Sequence, residues 1–323
     1  MMIIIILVIS LIGIVFGADW LVSGSVSIAR KYNVSEFVIG AAIIGIGTSM
    51  PEFVVSLIGA LESNSDIAVG NIVGSNIFNI LGILGITALL FPISVNRSNR
   101  QFEIPVCIFV SILVTLFSIN LFTGKSSVIS RIDGIVLLIL FSLYMWYSLH
   151  RDRKKKHAFD TEDFGTETIP IWIGIGKTVI GLAVLVISCD LFVDKSVVIA
   201  KSLGMNDAFI SLTLIACGTS LPEFAASIAA AVKKKTQLAL GNIIGSNIFN
   251  ITFILGICSQ VMPLTSGGIT ITDYIVMIIA AIAPFLFGIR GKIGRAAGLL
   301  MVLSFIIYTL HLLNSQLHIL KVS

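Results

Sequence analysis

Charge is what this 323-residue sequence has least of: Asp, Glu, Lys and Arg make up 12% of it, about half the share of an average soluble domain. Apolar residues make up 56%, and the mean hydropathy is +1.05. So few charges cannot cover a water-facing surface, which excludes a soluble globular protein. Cysteine is also scarce. Cys107, Cys189, Cys217 and Cys258 all lie in apolar runs and form no CxxC pair, which fits buried packing rather than a disulfide framework or a zinc site. No histidine or cysteine is placed to hold zinc or copper. The net charge of +4 comes from basic residues in short loops and calls for no nucleic-acid partner.

What is present is apolar sequence in long blocks. Runs able to span a bilayer, roughly 20 residues each, recur near 2–28, 37–61, 67–91, 103–123, 132–149, 170–200, 207–232, 237–262, 272–289 and 295–313. They predict an all-α integral membrane protein of about ten transmembrane helices in a lipid bilayer. The first run has no basic leader or small-residue cleavage site and reads as a retained helix rather than a signal peptide. The longest polar connection, His150 to Thr168, follows the fifth run and reads as a cytoplasmic linker. Its basic cluster is suited to anionic lipid.

The sequence also repeats itself. Gly47–Glu52 reads GTSMPE and Gly218–Glu223 reads GTSLPE; GNIVGSNIFNI from Gly70 is matched by GNIIGSNIFNI from Gly241. The offset between copies is 171 residues throughout, as between Glu52 and Glu223, and Asp19 and Asp190 share it. Such repeats decide the architecture. The units are 1–149 and 170–323, joined by 150–169. Five runs separate equivalent positions, and an odd number turns the second copy upside down in the membrane. Equivalent loops then face opposite sides, and Glu62-Ser63-Asn64 stands where Lys233-Lys234-Lys235 stands in the other copy. Arg30, Lys31, Arg97, Arg100, the 151–156 cluster, Lys233–Lys235, Arg290, Lys292 and Arg295 fall on one side. Only Lys125, Arg131, Lys201 and Lys321 fall clearly on the other. The positive-inside rule places both termini outside. Inverted repeats mark secondary transporters with a site near the midplane.

Each repeat carries one glutamate in an apolar run. Pro51 removes an amide donor and crowds the carbonyl four residues earlier, so the helix should break there and turn backbone oxygens inward, as around Pro222. Thr48 and Glu52 stand four residues apart, which on a continuous helix puts hydroxyl and carboxylate on one face. Asn71, Ser75 and Asn79 form a polar stripe, duplicated by Asn242, Ser246 and Asn250, and glycines at 70, 74, 82, 241 and 245 leave these helices slim. A proline kink or a small-residue stripe alone is ordinary membrane packing. Two intramembrane glutamates with identical flanks in both copies are not, because burying them is costly. Two carboxylates balance one divalent cation, and carboxylate, hydroxyl, amide and carbonyl oxygens suit a hard one. Calcium tolerates such pliable coordination better than magnesium, and the same oxygens can hold sodium. Asp19 and Asp190 either pair with polar groups or line an aqueous path.

At these motifs the sequence resembles the sodium/calcium exchanger family of cation/calcium antiporters, in its compact prokaryotic form. The resemblance implies ten transmembrane helices in two inverted five-helix repeats. It implies calcium ligands at Glu52 and Glu223 with main-chain oxygens of Thr48 and Thr219. It also implies sodium sites at Gly45, Ser49 and Ser75 on one side and Ala216, Ser220 and Ser246 on the other, with Asn79 and Asn250 completing the centre. Some relatives carry aspartate where this chain has Asn250, and potassium-dependent relatives rely on an acid in this region, so its absence argues against potassium co-transport. The implied activity is calcium export against sodium entry, with no enzyme activity and no cofactor. A calcium/proton antiporter of the same fold is the nearest alternative, because a buried glutamate can carry a proton. A passive cation channel would want a continuous polar pore, and an intramembrane metalloenzyme a histidine or acid set with an open position.

Overall fold

A backbone surrounded by lipid has to satisfy its own hydrogen bonds, and uninterrupted apolar sequence does so as helix. The computed structural model describes residues 2–119, 128–154, 170–202, 216–265 and 269–322. The helices are α1 (Met2–Tyr32), α2 (Glu36–Thr48), α3 (Met50–Leu61), α4 (Ser65–Leu90), α5 (Asn99–Ile119), α6 (Arg131–Lys154), α7 (Ile171–Ser202), α8 (Leu221–Val232), α9 (Thr236–Val261), α10 (Ile271–Phe287) and α11 (Arg295–Val322). Among the described residues seven helices are long and apolar enough to cross a membrane, or eight when α2 and α3, bent by 48°, count as one. Helices α8 and α10 are apolar but shorter. The chain is a multi-pass membrane protein. Parts of the 103–123 and 207–232 runs, Lys125 and most of the 150–169 linker lie outside the described residues.

Beside the helices, the described residues include four two-residue strands that helical periodicity gives no reason to expect. Strand β1 (Ile93–Ser94) pairs antiparallel with β4 (Lys292–Ile293), and β2 (Val128–Ile129) with β3 (Leu264–Thr265). Both pairings join the two repeats. They use backbone groups freed where helices end, so side-chain pattern does not announce them.

The core is built around α4 and α9, where Ile72, Ile77, Ile83, Leu240, Ile244 and Ile248 are fully buried. Helices α1, α7 and α11 present leucines, isoleucines and valines outward, as a lipid-facing layer requires. Helix α9 lies backbone to backbone on the π-helical stretch Gly40–Gly45 of α2. Cβ atoms at Gly241 and Gly245 would run into the main chain of Phe37 and Ala41. Helices α1 and α7 touch along much of their length in the same way, a Cβ on Gly17 falling 2.6 Å from the Leu185 nitrogen. The glycines of the first copy act differently. Gly82 makes room for the Phe78 ring of its own helix, and Gly74 has nothing within 4 Å among the described residues. The segment matching 40–44 in sequence is 211–215, outside the described residues.

The turns after α3 and α8 share one backbone. Ser63 and Lys234 adopt left-handed φ values of 60° and 59°. Asn64 N–H bonds to Gly59 O (2.8 Å) and Lys235 N–H to Ala230 O (2.8 Å), closing both helices alike. Their side chains differ. Lys233 Nζ lies 2.7 Å from Asp19 Oδ1 on α1 and donates to Ser23 Oγ at 2.5 Å, while Lys235 pairs with Glu36 at 2.8 Å. Asp19 therefore pairs with a cation on the far repeat. The pair is partly exposed, worth at most about 1 kcal/mol, and marks where α1 meets the end of α8.

Gly245→Leu should therefore strip the protein of its folded state, since overpacking against rigid backbone costs about 1–3 kcal/mol or more. Gly176→Ala, on α7 with nothing within 4 Å, should be silent. Melting temperature and monodispersity of the detergent-solubilised protein check both, and a Gly245→Leu protein as stable as the parent would refute the close approach.

Candidate ion-binding site

Proline sets the geometry. Pro51 and Pro222 lie in the first turns of α3 and α8, where a missing amide donor leaves no helical bond unmade. Just before each helix, Ser49 (φ −80°, ψ 8°) and Ser220 (φ −89°, ψ 9°) depart from helical geometry. The break corrects one expectation. Thr48 and Glu52 do not share a continuous helical face; Thr48 Oγ1 turns back to Ile44 O (3.0 Å), with Asn242 Oδ1 at 3.3 Å.

The serines at the breaks meet the carboxylates instead, and they do so across the repeats. Ser49 Oγ donates to Glu223 Oε1 at 2.8 Å, and Ser220 Oγ donates to Glu52 Oε1 at 2.7 Å. Both glutamates are fully buried. The Gly45 carbonyl likewise accepts from Ser246 Oγ of the other repeat (3.1 Å) rather than from Ser75. Among the residues expected at the sodium sites, this one hydrogen bond links the two repeats.

Asparagines fix the frame. Asn71 Nδ2 donates to the Glu52 carbonyl (3.1 Å) and Ser56 Oγ (3.0 Å); Asn242 Nδ2 donates to the Glu223 carbonyl (3.1 Å) and Ser227 Oγ (2.8 Å). Deeper in the core Asn79 Nδ2 donates to Asn247 Oδ1 (3.0 Å) and Asn250 Nδ2 to Asn76 Oδ1 (3.2 Å). Every bond in this paragraph has a partner displaced by the repeat offset in both donor and acceptor. Ser56 and Ser227 stand four residues past Glu52 and Glu223, the next step of the Thr48–Glu52 interval, while Asn76 and Asn247 fall off every four-residue stripe. Their signal is the duplication itself, since each has an identical residue at its counterpart position.

Six buried oxygens on these segments accept or donate no hydrogen bond: Glu52 Oε2, Glu223 Oε2, Asn79 Oδ1, Asn250 Oδ1, Ser75 Oγ and Thr219 Oγ1. Leaving a buried polar atom unmatched costs about 1–3 kcal/mol, more when it is charged, so such a collection fits a cation. No group of three His, Cys, Asp or Glu exists among the described residues, and neutral oxygens have to complete any coordination. Ala216 opens a short helical turn at the edge of the described residues.

The family model of the sodium/calcium exchanger protein matches residues 2–150 and 173–314, which is nearly the whole chain. The chain belongs to the sodium/calcium exchanger family. Among its relatives is CaxA of Alkalimonas amylolytica, a protein named as an antiporter, 39% identical over 95% of this exchanger and 97% of its own length. The sodium/calcium exchanger MaX1 of Methanosarcina acetivorans is 29% identical over 94% of this chain and 96% of its own. Among solved structures, the sodium-calcium exchanger NCX_Mj soaked with zero Na+ and Ca2+ superposes with a TM-score of 0.83 at 34% identity, covering 96% of this exchanger and 98% of that chain. The same protein soaked with Na+ and Sr2+ gives a TM-score of 0.81.

Because the two serine–carboxylate bonds are equivalent, Ser49→Ala and Ser220→Ala should weaken ion affinity by similar factors, each about tenfold for one charge-assisted hydrogen bond. Calcium titration of the purified variants measures this, and a large effect in one with none in the other would contradict the reciprocal arrangement.

Proposed function

We propose that this exchanger moves calcium out of the cell in return for sodium entering across the plasma membrane, by alternating access to a midplane site between Glu52 and Glu223. The reading rests on the reciprocal pair Ser49–Glu223 and Ser220–Glu52. It brings two carboxyl groups together and leaves one oxygen of each, Oε2, free of protein donors. A divalent ion neutralises that pair, and sodium ions distributed over the same oxygens can replace it. Calcium would use the carboxylates with the main-chain oxygens of Thr48 and Thr219, and Asn79 and Asn250 would close the centre. Sodium would use Gly45, Ser49, Ser75, Ala216, Ser220 and Ser246.

Ten spans follow when α8, with the turn before it, and α10 join the eight longer ones. Residues 1–149 and 170–323 are then inverted repeats joined by the linker 150–169, with both termini outside and the basic loops in the cytoplasm. Alternating access has α1 and α7 sliding against the core formed by α2–α4, α8 and α9. Asparagine at both central positions leaves no acid for potassium, so transport should proceed without it.

Calcium uptake by proteoliposomes under imposed sodium, proton or potassium gradients tests this. Sodium alone should drive flux. Flux should fall as pH falls, because a protonated glutamate no longer offers charge to calcium. Glu52→Gln and Glu223→Gln should each abolish transport in inserted, folded protein, since one carboxylate cannot neutralise a desolvated divalent ion. Full flux on a proton gradient in sodium-free buffer would establish proton coupling instead, and normal flux in either glutamine variant would remove that residue from the site.

A further inference from the structure

Asn79 and Asn250 serve a cation only if their amide oxygens, not their NH2 groups, face it. An amide can flip, and electron count alone barely distinguishes its two ends, so something must choose. We infer that Asn76 and Asn247 are positioning residues that hold the Asn79 and Asn250 amides oxygen-inward, which rests on the site reading above.

The chain of bonds begins at the backbone. Asn247 Nδ2 lies 3.1 Å from the Asn76 main-chain carbonyl, and Asn76 Nδ2 lies 3.2 Å from the Asn247 carbonyl. A carbonyl oxygen only accepts, so the end of each amide that meets it must be the NH2 end. The other end, Oδ1, then points away and can only accept. Asn247 Oδ1 takes its proton from Asn79 Nδ2 at 3.0 Å, and Asn76 Oδ1 takes one from Asn250 Nδ2 at 3.2 Å. With their NH2 groups engaged, Asn79 and Asn250 turn Oδ1 the other way, and these two oxygens have no protein donor. All four asparagines are buried, at no more than 2% exposure, so water does not scramble the order. Each orientation is dictated by a main-chain atom of the opposite repeat, where α4 and α9 meet. Asn76 and Asn247 contact no ion in this scheme. They act through their neighbours.

The experiment is a double-mutant cycle on the full-length protein in detergent, read by calcium titration. Asn247→Leu, which keeps the branched shape of the side chain, removes the acceptor that fixes Asn79 and should weaken apparent calcium affinity about tenfold, the worth of one lost ligand orientation. Asn79→Leu should weaken it at least as much. The double variant should be no worse than Asn79→Leu alone, because Asn247 has then nothing left to orient. Asn76→Leu with Asn250→Leu should behave alike. Fold losses that multiply in the double variant would mean that Asn247 only supports the packing, and unchanged affinity in Asn247→Leu would overturn the inference outright. Should the leucine variants not fold, Asn247→Ser and Asn76→Ser, which leave room for water at the bared carbonyl, carry the same cycle. Glu52→Gln measured alongside separates the two readings. Lost binding there with a silent Asn247 overturns only the positioning role, whereas retained binding in Glu52→Gln removes the site on which it rests.

Discussion

Two carboxylates held close together in an apolar interior lose their hydration and repel each other, and everything near the centre of this molecule answers to that constraint. Neither repeat can satisfy its own glutamate: Ser220 serves Glu52 and Ser49 serves Glu223. The two broken helices must therefore meet, and the helices carrying the asparagines must cross beside them. That demand accounts for the near-complete burial of α9, for backbone contact between α9 and α2 at Gly241 and Gly245, and for strand pairs that tie each repeat to the other at the edges. The halves are repeats in sequence, but in structure they are two parts of one core.

The same constraint explains the choice of polar residues. Asparagine, serine and threonine add oxygens without adding charge, so they can crowd around two glutamates without raising the repulsion. Asn71 and Asn242 hold the main-chain carbonyls of Glu52 and Glu223, which fixes where each carboxylate starts from. Asn79 and Asn250 are engaged at their NH2 ends while their oxygens are left over, and leftover oxygens are what a cation requires.

Much of this was legible in the sequence because membrane burial makes polarity rare and repetition makes it conspicuous. The helices follow from apolar run length, and Glu52, Glu223, Ser49, Ser220, Asn79 and Asn250 stand out as duplicated polar residues where polarity is expensive. What was not legible depends on three-dimensional phase. A four-residue interval pairs Thr48 with Glu52 only on an unbroken helix, and the proline that marks the site also destroys that register. The Gly45–Ser246 contact crosses between repeats, which spacing along the chain does not encode. Asn76 and Asn247 lie one residue off the polar stripe and look like bystanders until the crossing of α4 and α9 brings them together. The π-helical stretches at Gly40–Gly45, Phe78–Leu84 and Asn250–Ile254 have no side-chain signature at all.

The two tight turns that close α3 and α8 carry a further meaning. Their backbones are superimposable in φ and in hydrogen bonding, yet one displays Glu62-Ser63-Asn64 and the other three lysines, and only the latter finds a carboxylate, Asp19, on α1. Were the repeats identical, exchanging their conformations would yield a state of equal energy. The serine–glutamate bonds and the bonds that asparagines donate around them keep that degeneracy, each having a twin, but Thr48–Asn242 and Ser246–Gly45 do not, since Thr219 and Ser75 make no matching bond. The rims do not, because the positions matching Asp19 and Lys233 are Asp190 and Glu62, two acids with no attraction between them. Part of what distinguishes the halves is therefore written in residues away from the glutamates, where it can vary without touching the bonds that Glu52 and Glu223 make.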